Sequence, residues 1–249
     1  MKAGRGYDIF PRTFKARLLL ALAFVGGLLL MAGWVAVSVL VICGLFELPP
    51  CSGSEREACL QPQTELTAIA QPSCEGSQRR ICLVPLGQVD PDLVRSLVKY
   101  YRDEYGLEIG VLTPSAIPPD MIDSHRRQIG GESLADYMGA LFPADPNVVL
   151  IGLTPLDLYS EDRDWRFELG CADWSAQPRG VVSTYRMHLG TLRLVDDERV
   201  FSRTRKLVTK YIGLMFYGLP TSHDPESPMY DRILRVTDLD RMQEPLFGP

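Results

Sequence analysis

Val148-Val149-Leu150-Ile151, followed by the turn Thr154-Pro155-Leu156-Asp157, is the stretch on which the fold depends. Consecutive apolar residues, mostly β-branched, read as a fully buried strand, and the Thr-Pro pair turns the chain out of it. Before this strand, Leu134, Tyr137, Met138, Leu141 and Phe142 recur at helical spacing until Pro143 stops them. Further back, Arg80-Ile81-Cys82-Leu83-Val84-Pro85-Leu86 is a second short apolar strand. Asp90-Pro91-Asp92 then supplies an N-cap, a proline at the first helical position and an acid in the first turn. Leu93, Val94, Leu97, Val98 and Tyr101 carry that helix to Gly106, and Leu107, Ile109 and Val111 alternate with Glu108 and Gly110 as a strand. On the other side, strands are expected over 166–171 and 180–187, then a strong helix over 202–217 ended by Gly218 and Pro220. Strands and helices in this order describe an α/β or α+β domain with a mixed sheet.

The N-terminus departs from this globular pattern. The whole chain is 46% hydrophobic and 23% charged with a net charge of −5, so it lacks the basic field that phosphates require, and nucleic acid is excluded as a main partner. The run 18–46, opened by Leu18 and closed by Phe46, holds no charge, and Ser38 is its one polar side chain. About 20 apolar residues cross a hydrocarbon core of roughly 30 Å, whereas the apolar part of a cleaved signal is about 7–15 residues. The run therefore reads as a retained transmembrane anchor. Lys2, Arg5, Arg12, Lys15 and Arg17 precede it against one acid, Asp8, while Glu47, Glu55 and Glu57 follow with Arg56. Positive charge stays inside, so 1–17 is a cytoplasmic basic tail and the rest is extracytoplasmic.

Cys51, Cys59, Cys74 and Cys82 lie just past the anchor, at separations of eight, fifteen and eight residues. No Cys-x-x-Cys pair is present, which favours disulfides over a zinc site, and disulfides persist outside the cytoplasm. Four cysteines allow three pairings, and all three stay open. Residues 47–79 read as a stalk, stapled rather than packed, ahead of a globular domain over 80–249. Cys171 reads as a small buried hydrophobe.

Several short segments, taken in order, give a family resemblance. These are Ile81 to Gly87 with its Pro-x-Gly turn, Arg127-Gln128, and Ile151-Gly152-Leu153-Thr154 followed by Asp157-Leu158-Tyr159. Val182-Ser183-Thr184 with Arg186, then Arg203 with Lys206, continue the series. Together they resemble the archaemetzincins, a branch of the metzincin zinc metallopeptidases. The resemblance implies a metzincin-like fold whose last helix carries His-Glu-x-x-His-x-x-Gly-x-x-His, two histidines gripping zinc from one helix face while the glutamate activates water. Here Lys210 stands at the first ligand position, Tyr211 at the base and Leu214 at the second ligand, and Gly218 comes one residue late. Met229 in Ser227-Pro228-Met229 is similar to the family's floor methionine, and Val236-Thr237-Asp238-Leu239-Asp240 to its acidic stretch. A lysine ~4 Å from a zinc ion would meet about 8 kcal/mol of repulsion at an effective dielectric of 20. Tyrosine is a poor base at neutral pH.

The chain's three histidines, His125, His188 and His223, are not spaced to share a helix face. The expectation is a lapsed zinc site at Lys210, Tyr211, Leu214, Gly218 and Met229, no zinc cofactor, and a tethered module that binds peptides or partner proteins without catalysis. The alternative is a peptidase or other hydrolase with a reworked site using His223, Asp224 or Glu226. Ser222-His223-Asp224 reads as a loop, because adjacent side chains point apart. Asp157, Glu161 and Asp162 read as a solvated turn rather than a cation site. Arg203, Lys206 and Lys210 form a basic stripe of the kind that is usually solvated, and Tyr211, Phe216 and Tyr217 are expected in the core.

Overall fold

The computed structural model describes residues 50–52, 56–67, 74, 78–163, 165–174, 177–190 and 194–244. The expected tail and anchor lie outside the described residues. Among the described residues no helix is long and apolar enough to cross a membrane.

Two short helices, α1 (Arg56–Cys59) and α2 (Thr64–Thr67), precede strand β1 (Arg80–Pro85). Helix α3 (Pro91–Tyr105) starts where expected: the Asp90 carboxylate accepts from the Asp92 amide at 2.9 Å, and Gly106 closes it at φ 61°. Strand β2 (Ile109–Val111) is buried along its whole length, so the alternation expected of it does not mark a solvent face. Then come β3 (Ile122–Asp123), β4 (Gln128–Gly130), α4 (Gly131–Ala140), β5 (Val148–Thr154) and β6 (Leu158–Tyr159). Strands β7 (Gly170–Asp173) and β8 (Arg179–Ser183) lead to the long helix α5 (Asp197–Tyr211), and α6 (Val236–Arg241) follows.

The main sheet has the order β2-β1-β5-β8-β7. Its first four strands run parallel, with Ile81 level with both Ile109 and Val149, while β7 runs antiparallel along β8 and forms one edge. Side chains of β1 alternate between two cores. Ile81 and Leu83 join Leu97 and Tyr101 of α3 and Leu207 and Val208 of α5; Cys82 and Val84 join Leu134 and Met138 of α4. Helices on both faces explain why the strands read as unbroken apolar runs. A small sheet, β3-β4-β6, lies apart from the main one.

Four expectations are corrected. The strand expected over 166–171 begins only at Gly170, because Arg166 and Phe167 leave the sheet to wall a cleft. The strand expected over 180–187 ends at Ser183, where the Tyr185 amide donates to the Ser183 hydroxyl and a 3₁₀ turn, Tyr185–His188, begins. The helix expected over 202–217 starts at Asp197, with the Asp196 carboxylate accepting from the Arg199 amide, and its last turn, Ile212–Phe216, is a π-helix. The stalk is packed as well as stapled. Disulfides join Cys51 to Cys59 and Cys74 to Cys82, Leu60 and Leu66 are buried, and the Leu60 carbonyl accepts from the Ile117 amide at 2.9 Å.

Candidate functional site

The scattered polar residues of the sequence motifs meet in one network. Arg186 clamps Asp157 through two hydrogen bonds of 2.7 Å, and the Gln128 amide donates to the same carboxylate at 2.8 Å. Gln128 also donates to the Arg166 carbonyl at 3.0 Å, and the Arg186 guanidinium lies 3.8 Å from the centre of the Phe167 ring. The Ser183 hydroxyl donates to the Leu156 carbonyl at 2.6 Å. Asp157 is therefore a positioning group and not part of a solvated turn. Its network pins the 165–170 run, which has no regular structure of its own until β7 begins.

That run walls a cleft of about 450 Å³. Leu207, Lys210 and Tyr211 of α5 form the floor, and Asp231, Ile233 and Leu234 form the opposite wall. Residues three and four apart share one face of a helix, which puts Leu207, Lys210 and Tyr211 side by side. Lys210 is nearly buried, and its ammonium donates to the Tyr230 carbonyl at 2.6 Å. Burial pulls its pKa below the ordinary lysine value, opposed by the charge of Asp231. Tyr211 fills the gap between α5 and the sheet edge. A Cβ on Gly170 would come 2.8 Å from its hydroxyl, and one on Gly180 3.0 Å from its ring, so two glycines make room for one aromatic side chain. Burial raises the Tyr211 hydroxyl well above its usual pKa, and it stays protonated.

Comparison with solved structures finds the archaemetzincin of Methanopyrus kandleri, 24% identical, with a TM-score of 0.54 over 68% of this chain and 88% of that one. The archaemetzincin of Archaeoglobus fulgidus, solved with malonate, is 24% identical with a TM-score of 0.53 over 66% and 92%. A zinc-dependent peptidase from Methanocorpusculum labreanum is 22% identical with a TM-score of 0.54 over 68% and 96%. The fold is archaemetzincin-like. No protein-family model matches the chain, and neither does any curated protein.

On this archaemetzincin-like scaffold the residues do not fit a catalytic zinc. Lys210 presents a cation, Tyr211 a buried protonated hydroxyl, and Leu214 packs against the main core with no lone pair to offer. His223 is 85% exposed, and its Nδ1 lies 2.7 Å from the Asp231 carboxylate. Among the described residues, no three His, Cys, Asp or Glu side chains gather as a metal-holding group. The turn before Gly218 is irregular. A π-turn holds one residue more than an α-turn, and the Tyr217 amide reaches back five residues to the Ile212 carbonyl at 3.2 Å. Gly218, at φ 68°, then ends the helix, with the Leu219 amide on the Gly213 carbonyl at 2.9 Å.

The structure separates the residues expected to act together. Lys210 and Tyr211 line the cleft and Leu214 does not; Met229 is buried and is not part of the lining, while Asp231, two residues on, is. His223, Asp224 and Glu226 are exposed on the loop after α5 and do not line the cleft, so the reworked hydrolase site lacks convergence. The basic stripe is not solvated. Arg203 is buried, pairs with Asp240 at 2.8 and 2.7 Å, and donates to the Met187 and Leu189 carbonyls; Lys206 donates to the Leu239 carbonyl. These cations fasten the segment 230–240 onto α5. Tyr211 packs in the core as expected, Phe216 is only half-buried, and Tyr217 is exposed.

Glu168 was missed. It lies in the run that the sequence assigns to a strand, where an acid reads as solvent-facing. In the structure it is 9% exposed, its Oε1 has no hydrogen-bond partner among the described residues, and burial, aided by the charge of Glu132, lifts its pKa to about 8.

Proposed function

We propose that this protein is a membrane-tethered binding module, an archaemetzincin-like domain held outside the cytoplasm that captures peptides or partner proteins in its cleft without hydrolysing them. One observation carries the reading: the cleft floor presents Lys210 and Tyr211, at the positions where the archaemetzincin resemblance would put a metal ligand and a general base. A buried ammonium repels a divalent cation, and a protonated phenol activates no water. The cleft's volume lies in the range of sites that bind small ligands and chain segments. Its rim includes Leu234, 56% exposed, and Trp165, 40% exposed, an apolar mouth suited to side chains of a partner. Two disulfides support an oxidising compartment, consistent with an anchor whose basic flank stays inside.

The test uses the full-length chain in non-ionic detergent. Bound zinc is expected well below one per chain, and hydrolysis of a quenched peptide pool should stay at background with or without chelator. One zinc per chain with chelator-sensitive cleavage sinks the reading. The tether is tested separately by reporter fusions at the C-terminus, and a cytoplasmic signal there overturns it.

A further inference from the structure

The floor of the cleft holds a charge without a counter-charge. Lys210 is 9% exposed, yet no carboxylate among the described residues lies within 4.0 Å of its ammonium. Buried lysines are almost always paired, because only a close opposite charge offsets the cost of taking an ion out of water. An ammonium carries three donors. One goes to the Tyr230 carbonyl at 2.6 Å, and no other acceptor among the described residues takes the remaining two. Asp231 attracts the ammonium from farther off, and its own Oδ2 is 2.7 Å from His223 Nδ1.

The rest of the lining agrees in sign. Arg163 and Arg166 are exposed at its rim, and the Arg166 guanidinium has no ion-pair partner among the described residues. Glu168, the other acid of the lining, holds its proton up to about pH 8. Three cations against one ionised carboxylate leave the cleft positive in a chain whose net charge is −5. Around Lys210 the walls are apolar, from Phe167, Leu169, Leu207, Tyr211, Ile233 and Leu234. A ligand that fits must therefore set an anion directly beside an apolar body. An inorganic anion brings no such body, and a basic side chain or a metal ion is repelled. The last residue of a peptide, when its side chain is apolar, carries a carboxylate and an apolar group on one carbon.

The geometry points to a carboxylate site: the cleft receives the C-terminal residue of a peptide, its carboxylate on the Lys210 ammonium and its apolar side chain among Phe167, Leu207 and Ile233. A charge-assisted hydrogen bond of this kind is about twice as strong as a neutral one. Arg166 at the rim steers the same charge inward. The inference rests on the binding-module reading and names the chemistry of its ligand.

The full-length chain is titrated with acetyl-Ala-Ala-Leu, with the same peptide as its C-terminal amide, and with isocaproate. Tryptophan fluorescence follows binding, because Trp165 stands in the cleft wall. The peptide acid is expected to saturate, with the amide about tenfold weaker or more. Lys210→Met keeps the apolar stem of the side chain and should bring acid and amide to equal affinity, a ratio that a general loosening of the fold does not move. Arg166→Ala, an exposed truncation, should weaken the acid about threefold and leave the amide unchanged, and it tests the site even if Lys210→Met does not fold. Equal affinity for acid and amide in the parent overturns the carboxylate site and leaves the binding module standing. Isocaproate saturating alone, and lost in Lys210→Met, keeps the carboxylate on Lys210 and removes the peptide. Saturation by none of the three, or carboxylate binding that survives unchanged in Lys210→Met, overturns the proposal.

Discussion

Single side chains decide what this domain does, and Glu168 shows how a physical cost exposes them. Its pKa of about 8 lies above the ordinary 4.5, so between those values the unfolded chain has released a proton that the folded chain still holds. The unfolded state binds fewer protons in that window, and stability therefore falls as pH rises from about 4.5 to about 8. Glu132 from α4, Glu161, Asp162 and Arg163 from the preceding loop, and Cys171 and Tyr211 on either side are the groups that feel or set this charge. Glu168→Gln removes the slope. The variant's melting temperature at pH 8 should exceed the parent's by about 4–8 °C, an estimate from roughly 2 kcal/mol of relieved burial. Parallel pH profiles of the two proteins would argue that the carboxyl is already satisfied. Tyr211 is the complementary case, a large side chain tolerated because Gly170 and Gly180 leave it space, and the sequence shows the three residues without showing that they touch.

At the scale of elements, α5 is both the floor of the cleft and the anchor of the segment after it. Replacing Arg203 by alanine leaves Asp240 and two carbonyls facing a void, and should cost about 3–5 kcal/mol in urea unfolding; a loss under about 1 kcal/mol would mean the ion pair is exchanged for water. The π-turn makes a sharper prediction. If Ile212–Phe216 accommodates one inserted residue, deleting Leu214 should convert it to an α-turn and leave the domain folded, with a melting temperature within about 5 °C of the parent. Deleting Thr204, in the regular body of α5, rotates the cleft face and should abolish folding. Loss of the fold in both deletions would count against the insertion. The elements themselves were legible wherever local chemistry fixed them, as with Asp90, Pro91 and Gly106 around α3 or the apolar β5. Legibility failed where distant partners decide the outcome. Arg203, Lys206 and Lys210 look like a solvated stripe because their acceptors, Asp240, Leu239 and Tyr230, lie 20 to 37 positions away. Likewise 166–169 has a strand's composition but is pulled from the sheet by Gln128 and Arg186, contacts with no sequence periodicity.

For the whole molecule, the described residues between 50 and 79 belong to the domain rather than standing off it. Each disulfide closes a separation of eight residues, and Cys59 and Cys82 are both in the core. On loop closure alone, each should be worth about 2–3 kcal/mol. Reduction should lower the melting temperature by several degrees per bridge, read by calorimetry with and without reductant, and an unchanged transition would show that packing of Leu60 and Leu66 already fixes this segment. The strap of residues 230–244 across α5 has a consequence in time. Asp231, Ile233 and Leu234 form one wall of the cleft, and Arg203, Lys206, Lys210 and Arg205 hold that segment through Asp240, Leu239, Tyr230 and Glu244. During synthesis the floor emerges about thirty residues before its fastening, an interval in which a nascent chain exposes these four cations and an open apolar face, and in which a chaperone rather than a ligand is the natural first occupant.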